Sequence, residues 1–341
     1  LFVIPRGELD STATLNRLLS LITRSGKTVF GLSMYGFSNG KPDLLSIAKK
    51  LKRLCAAHKQ SCRYVQGTDG ALSSVVVQKS GMLTHGAEFL LISRGNDIVV
   101  GRTVAVQQFE EFSARDYGRP GRNARSGMLP PKVARMLINL SGVKKDATLF
   151  DPFCGSGTVL TEAMTLGFHN LIGSDSLSRA VADTKKNVVW FRNRLGTNTA
   201  APQIFTADVR SLAGNMPQHS INAIVTEPFL GPPLSGNERS QDIREQQKKL
   251  ALLYHDAFRV FHELMKDGGV VVFLLPVFFQ LHQPQFLPVL DDLLAQGFRT
   301  VPPLPPHLTS FYPKDLTYRN TLLYHRPGQR IGREVLLLQK N

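Results

Sequence analysis

The feature that most constrains this chain is a succession of short apolar segments, each ending in an acid and followed by a helical pattern. The first covers residues 147–151, and the next two end at Asp175 and Asp208. Strands that alternate with helices predict an α/β fold, a parallel sheet with helices on both faces. The carboxyl ends of parallel strands share one edge, where ligands bind. One strand-end acid is more typical of a helix N-cap, but three in register favour a ligand site.

The first strand leads into a glycine-rich turn, Asp151-Pro152-Phe153-Cys154-Gly155-Ser156-Gly157-Thr158. Glycines allow a ligand to approach the backbone, and the following helix begins with free N–H groups. The turn lacks the third glycine of dinucleotide-binding proteins and the lysine of NTP-binding loops. A nucleoside cofactor without a pyrophosphate fits better, and we expect S-adenosylmethionine. Asp175 is placed to bind its ribose hydroxyls, and Asp208 to accept from its adenine amino group.

The fourth predicted strand ends in Thr226-Glu227-Pro228-Phe229, the candidate catalytic loop. Methylation of an exocyclic amine needs acceptors for the amine protons, because these favour a nitrogen whose lone pair can attack. Thr226 and Glu227 offer oxygen acceptors, and Pro228 offers a rigid backbone carbonyl. Phe229 offers a face on which an extruded base can stack. The alternative is an ordinary proline-containing loop, but the position after three acids in register favours catalysis.

The rest of the chain predicts further organisation. Residues 1–112 mix strand and helix patterns and predict a small α+β domain, with a basic-sided helix over 44–57 and a strand over 72–77. Residues 113–131 combine glycines, prolines and arginines, which are typical of an interdomain segment. Residues 132–341 hold the alternating strands and helices and close with an antiparallel hairpin.

The net charge is +15, from 41 Lys and Arg against 26 Asp and Glu. Nucleic acid is the first partner to expect, with a ribosome or membrane surface as alternatives. Two basic groups could follow RNA phosphates, or could simply be solvated. They are Lys49, Lys50, Lys52 and Arg53 on the N-terminal helix, and Arg115, Arg119 and Arg122 in the interdomain segment.

Composition excludes other classes. The longest apolar run, residues 270–279, is too short to span a membrane. No secretory signal is evident, and the chain begins without methionine, so we expect a cytoplasmic protein with a trimmed N-terminus. Cys55, Cys62 and Cys154 lack metal-ligand spacing and cannot all pair, so we expect no metal and small, partly buried cysteines in a reducing cytoplasm.

The motifs now described resemble those of the tRNA guanosine-N2 methyltransferases that carry an N-terminal THUMP domain, the group acting on guanosine 10. The turn at 151–158 is similar to that group's first cofactor motif, and residues 115–120 and 127–132 look like its interdomain lead-in. The resemblance implies a Rossmann-like, seven-stranded S-adenosylmethionine-dependent methyltransferase sheet with a closing antiparallel hairpin. It also implies an N-terminal α+β THUMP-like domain that holds tRNA.

The resemblance also assigns roles to individual residues. It implies that Asp151, Gly155 and Gly157 surround the methionine part of the cofactor, and that Phe153 and Thr158 of the same motif also bind the cofactor. It assigns ribose to Asp175, adenine to Asp208 and the target base to residues 226–229.

The catalytic loop departs from the family pattern, which has Asp or Asn where Thr226 stands and proline where Glu227 stands. Either Glu227 supplies the carboxylate from the neighbouring position, or the target differs, or activity is reduced. Two other functions therefore stay open. One is N6-adenine methylation of DNA or RNA, and the other is a non-catalytic RNA-binding protein with a degenerate cofactor pocket.

Overall fold

A computed structural model describes residues 2–22, 27–122, 128–195, 200–280, 283–309 and 316–341. The chain divides into two compact units, Leu1–Glu111 and Phe112–Asn341. The division falls within the helix Phe109–Tyr117. The arginine-rich segment expected between two domains therefore belongs to the second unit, as far as its described residues go.

The first unit is a mixed sheet with helices. Its strands are β1 (Phe2–Pro5), β2 (Thr28–Tyr35), β3 (Cys62–Val65), β4 (Gly86–Arg94) and β5 (Asp97–Arg102). Its helices are α1 (Thr12–Ile22), α2 (Leu44–Ala57), α3 (Ser74–Lys79) and α4 (Met82–His85). The described strands form a five-stranded sheet in the order β1-β5-β4-β2-β3.

Two expectations for the first unit were wrong. The valine-rich segment expected as a strand is helix α3, because the Ser73 hydroxyl caps it by accepting from the N–H of Val76 and Val77 is buried. Cys55 and Cys62, expected as small residues in a reducing cytoplasm, form a disulfide between α2 and β3, with their Cα atoms 6.2 Å apart. A short turn after α2 brings the two positions together. Cys154 is free and buried.

The second unit contains the alternating elements. Its helices, with α5 (Phe109–Tyr117), are α6 (Pro131–Leu140), α7 (Thr158–Thr165), α8 (Ser178–Leu195), α9 (Ser240–Leu264), α10 (Leu290–Ala295) and α11 (Pro306–Thr309). Its strands are β6 (Leu149–Asp151), β7 (Leu171–Asp175), β8 (Gln203–Thr206), β9 (Ile221–Thr226), β10 (Met265–Gln280), β11 (Gln283–Phe286), β12 (Phe298–Thr300), β13 (Leu322–Tyr324) and β14 (Ile331–Lys340).

These strands confirm the predicted α/β sheet. Seven of them follow one path, β12-β14-β10-β9-β6-β7-β8, while β11 pairs with β10 and β13 with β14. The neighbouring strands β10, β9, β6, β7 and β8 are parallel to one another, and β14 is antiparallel to β10. The expected closing hairpin is β13 with β14. The parallel centre therefore has a single carboxyl edge.

Successive side chains of β10 point to opposite faces of the sheet, and both faces are covered by helices. Phe273 packs with Phe258 and Phe261 of α9, whereas Val272 faces the layer that contains Leu137 of α6 and Leu160 of α7. Such continuous apolar strands are typical of a parallel sheet covered on both sides. Within the described ranges, no helix is long and apolar enough to cross a bilayer.

Candidate active site

The predicted strand-end acids lie along one edge of the sheet. Strand β6 pairs with β7 on one side and β9 on the other, and β7 pairs with β8. Asp151 and Asp175 end β6 and β7, Asp208 follows β8, and Glu227 follows β9. The parallel register therefore brings four acids from distant parts of the sequence to one edge.

The glycines of the turn after β6 have two different roles. Both are left-handed, with φ of +54° at Gly155 and +81° at Gly157. A Cβ at Gly157 would lie 2.7 Å from Cγ2 of Thr184, so this glycine allows α7 and α8 to pack closely. A Cβ at Gly155 would meet only one atom within 4 Å, at 3.9 Å, and would project into open space. Gly155 therefore leaves a face of the turn accessible.

Asp175 joins the end of β7 to that turn. Its Oδ2 accepts from the N–H of Gly155 at 2.9 Å, and its Oδ1 accepts from the N–H of Leu177 at 2.9 Å. The residue is only partly buried. An ionised carboxylate offers about four acceptor positions, so two bonds leave capacity for hydroxyl donors.

Asp151 is the most deeply buried acid of the edge, at 2% exposure. Its Oδ1 accepts from the Thr226 hydroxyl at 2.6 Å and from the N–H of Phe153 at 3.2 Å. Burial raises the pKa of Asp151 to about 7, although the Thr226 bond opposes the rise. The nearby charges of Asp175 and Glu227 raise the same pKa further.

Thr226 and Glu227 differ sharply in their surroundings. Thr226 is fully buried and its hydroxyl proton is committed to Asp151. Glu227 is the first residue beyond β9, and its carboxylate accepts from Nε of Arg333, with side-chain exposures of 13% and 10%. Burial raises the pKa of Glu227, whereas the Arg333 charge and hydrogen bond lower it. Glu227 is therefore the carboxylate that the loop presents.

The rest of the loop is anchored from α9. The Tyr254 hydroxyl donates to the carbonyl oxygen of Phe229 at 2.7 Å, while Phe229 as a whole residue is 57% exposed. Pro228 is buried and cannot donate, which ends the pairing of β9. The loop is thus fixed by its backbone while its aromatic face stays free.

Asp208 makes a local structure of its own. It caps the 3-10 helix Val209–Gly214 by accepting from the N–H of Arg210, and pairs with the Arg210 guanidinium at 2.6 Å. The Arg210 hydrogen bond is the main reason that the pKa of Asp208 falls to about 2. The carboxylate is ionised, but any ligand must share it with Arg210.

The structure corrects two predicted RNA contacts. Arg115 is 7% exposed and pairs with Glu162 at 2.7 Å, while Arg119 is 5% exposed and donates to the Thr158 hydroxyl at 2.7 Å. The two arginines thus contact residues of α7 that are one helical turn apart. Their guanidinium groups are enclosed against this helix, so they brace the first motif instead of facing phosphates.

The other predicted basic residues are more accessible. Arg122 is exposed, with its guanidinium 5.0 Å from the centre of the Tyr117 ring. On α2, Lys49, Lys52 and Arg53 are exposed, whereas Lys50 pairs with Asp10 at 2.5 Å. No group of three His, Cys, Asp or Glu among the described residues is arranged to hold a metal ion.

Comparison with known proteins now adds to this geometry. Residues 119–281 match the family of RMKL-like methyltransferase domains. The "tRNA (guanine(10)-N2)-dimethyltransferase" of Methanothermobacter thermautotrophicus is 28% identical over 69% of this chain and 64% of its own length. The "Probable tRNA (guanine(10)-N2)-dimethyltransferase" of Methanothermococcus thermolithotrophicus is 32% identical over 42% of this chain and 78% of its own length.

The chain belongs to the tRNA (guanine-N2) methyltransferase family. The crystal structure of TrmN from Thermus thermophilus matches it with a TM-score of 0.57, at 17% identity, over 100% of this chain and 81% of TrmN. That likeness shows the fold. This family member spans a little less than two thirds of the length of the M. thermautotrophicus relative.

Sequence reasoning missed two residues at the site of this family member. Asn187 of α8 accepts from the N–H of Gly121 and donates to the carbonyls of Gly121 and Ser156, which ties the lead-in to the first motif. Arg333 of β14 reaches Glu227 from 106 residues away. Neither has a local sequence signal, because each acts through a contact that only folding creates.

Proposed function

We propose that the protein methylates the exocyclic N2 of a guanosine in tRNA, with S-adenosylmethionine as the donor. The observation that carries the proposal is the carboxyl edge, where Asp151 and Asp175 flank an open glycine turn beside the anchored Glu227-Pro228-Phe229 loop. The names of the curated relatives supply the base and the RNA.

The residues at this edge fit the proposed cofactor. Gly155 leaves open space where a side chain would project, and Asp175 has unused acceptor positions for ribose hydroxyls. Asp151 is a buried acid whose hydrogen-bond partners, a hydroxyl and an amide, are neutral, so a cationic group would favour its ionised form. Asp208 would accept from the adenine amino group while shared with Arg210. S-adenosylmethionine would supply a methyl group activated by a positive sulfonium and an ammonium for Asp151.

The chain's own residues would prepare the base. Glu227 would accept one proton of the exocyclic amine in a hydrogen bond, and the carbonyl of Pro228 the other. These bonds favour a pyramidal nitrogen with an available lone pair. Phe229 would stack on the extruded base, which compensates for lost stacking in the RNA. The proton released after transfer would pass to Glu227 and then to water.

The N-terminal unit is proposed as the tRNA-binding region, with a THUMP-like role. Its support is the exposed basic face of α2, at Lys49, Lys52 and Arg53. Changing Lys49 and Lys52 to Glu should weaken tRNA binding and reduce the salt dependence of log K by about two phosphate contacts. The matched control is the same change at Lys144 and Lys145. These exposed residues precede β6 of the second unit, so they lie at the amino edge of its sheet, away from the candidate active site. Equal effects of both pairs would argue against a specific α2 contact. The cytoplasmic location stays a prediction.

Reaction of labelled S-adenosylmethionine with tRNA, followed by nucleoside mass spectrometry, tests the activity. We expect N2-methylguanosine, and far less of it with the Glu227→Gln variant under the same conditions. Label found only in N6-methyladenosine would replace the proposal with adenine methylation. Binding of tRNA without any binding of S-adenosylmethionine in calorimetry would indicate a non-catalytic protein.

A further inference from the structure

The closing hairpin contributes a charge to the candidate catalytic loop. Arg333 lies on β14 opposite Pro276 of β10 and Tyr324 of β13, and is 8% exposed. Its Nε donates to Oε1 of Glu227, and its guanidinium lies 5.9 Å from the centre of the Tyr324 ring. We propose that Arg333 is the positioning residue of this loop, which orients the Glu227 carboxylate and holds it ionised for the amine of the base. The proposal rests on the function proposed above.

The alternation of β14 explains why Arg333 is available for this role. Its neighbour Glu334 points to the opposite face and is held there by Arg319 and the Thr321 hydroxyl. Arg333 and Glu334 thus do not pair with each other, although they are adjacent and oppositely charged. Each instead meets a partner on its own face, and the partner of Arg333 is a residue of the candidate catalytic loop.

The charges around Glu227 show what the arginine must offset. Asp151 on β6 is an acid whose pKa is raised partly by the Glu227 charge. Tyr254 on α9, which anchors Phe229, has a pKa raised by burial and by Glu227. Among the groups named here, Arg333 on β14 is the cation in contact with Glu227. Without it, burial would favour the protonated form of Glu227, which accepts hydrogen bonds from an amine poorly.

Arg333→Met is the decisive variant. Its kcat is measured against pH at saturating S-adenosylmethionine, because saturation removes any effect of Asp151 on donor binding. We expect the acid limb of kcat to move upward by about one pH unit or more, with a large fall in kcat at neutral pH. Arg333→Lys keeps the charge and should keep the limb near its original position, with a smaller loss from altered geometry. An unmoved limb in Arg333→Met overturns the proposal.

Arg319→Met is the matched control, because Arg319 belongs to the same hairpin region and also pairs with a buried glutamate. It should lower the melting temperature and leave the pH profile of kcat in place. A limb that moves equally in both variants would mean that the hairpin acts through stability alone, and would overturn the assignment.

A readout without activity separates this inference from the proposed function. Melting temperatures at pH 8 are compared for Arg333→Met, Glu227→Gln and the double variant. We expect the second substitution to restore part of the loss in Arg333→Met, because it removes a largely buried carboxyl group that has lost its cationic partner. If the wild type transfers no methyl group, the proposed function fails while this coupling still stands. Additive losses in melting temperature would refute the Arg333–Glu227 coupling whatever the activity.

Discussion

Asp151, which is buried, and Glu227, which is largely buried, are carboxylates at one sheet edge, yet their partners differ in charge. Asp151 accepts from a hydroxyl and a backbone N–H, whereas Glu227 accepts from a guanidinium. The pKa of Asp151 therefore rises to about 7, while Arg333 opposes the rise at Glu227. Burial alone does not decide the charge of an acid. In our interpretation, Glu227 is ionised in advance for the base, and Asp151 completes its ionisation when a cationic cofactor arrives.

Among the tests of this contrast, Glu227→Gln should have the largest effect. The amide still accepts one hydrogen bond but offers no negative charge, so we expect turnover to fall by about 10²–10³-fold while donor affinity changes little. Single-turnover kinetics and calorimetry measure the two quantities. Turnover close to wild type would transfer the acceptor role to the Pro228 carbonyl or to Thr226.

Asp151→Asn removes the other carboxylate. Donor affinity at about pH 8 should fall by about 10–100-fold, because a charge-assisted contact is worth about 1.5–3 kcal/mol. Wild-type affinity should weaken as pH falls below the Asp151 pKa of about 7, and the variant should lose this dependence. Calorimetry across pH decides, and a wild-type affinity independent of pH would contradict the assignment.

The same variant has a stability signature. The folded pKa of about 7 lies above the ordinary 3.8, so the wild type gains stability from proton binding below about pH 4 and loses it as pH rises to about 7. Asp151→Asn should flatten this trend in urea unfolding. A parallel pH trend in both proteins would show that Asp151 is not its source.

Asp175→Ala should weaken donor binding by about tenfold through the lost ribose contacts, with Asp175→Asn as a milder control. Unchanged affinity in Asp175→Ala would remove Asp175 from the cofactor site.

Thr226→Val gives the smallest effect. Losing the hydroxyl that donates to Asp151 should raise the Asp151 pKa further, so donor affinity at pH 7 should fall by about threefold. Thr226→Ser keeps the donor and should resemble wild type. If Thr226→Val leaves the pH dependence of donor affinity unchanged, the Thr226 hydrogen bond does not affect the pKa of Asp151.

The sequence could predict the sheet because its information is local. Apolar strands alternating with helices predicted the parallel centre, and the acids that end β6 and β7 and follow β8 marked its carboxyl edge. The strand expected over 72–77 failed because valine favours strands only where the tertiary context agrees, and here the Ser73 cap starts α3.

Arginines show most clearly where sequence reasoning stopped. Arg115 and Arg119 looked like RNA contacts because they stand among glycines and prolines, yet folding encloses them against α7. Arg333 carried no signal, yet it meets Glu227. The sequence gives the charge of a side chain, but the partner of that side chain depends on which distant elements pack together.

The sequence by itself therefore determined the α/β order, the glycine turn and the acids at one edge, since these follow from periodicity and from residues adjacent in the chain. Only the tertiary structure decided which acid is paired with a cation, which accepts only from neutral groups among the described residues, and which arginines are enclosed. The physical reason is that burial and charge pairing are properties of long-range contacts, such as that between β14 and the loop after β9.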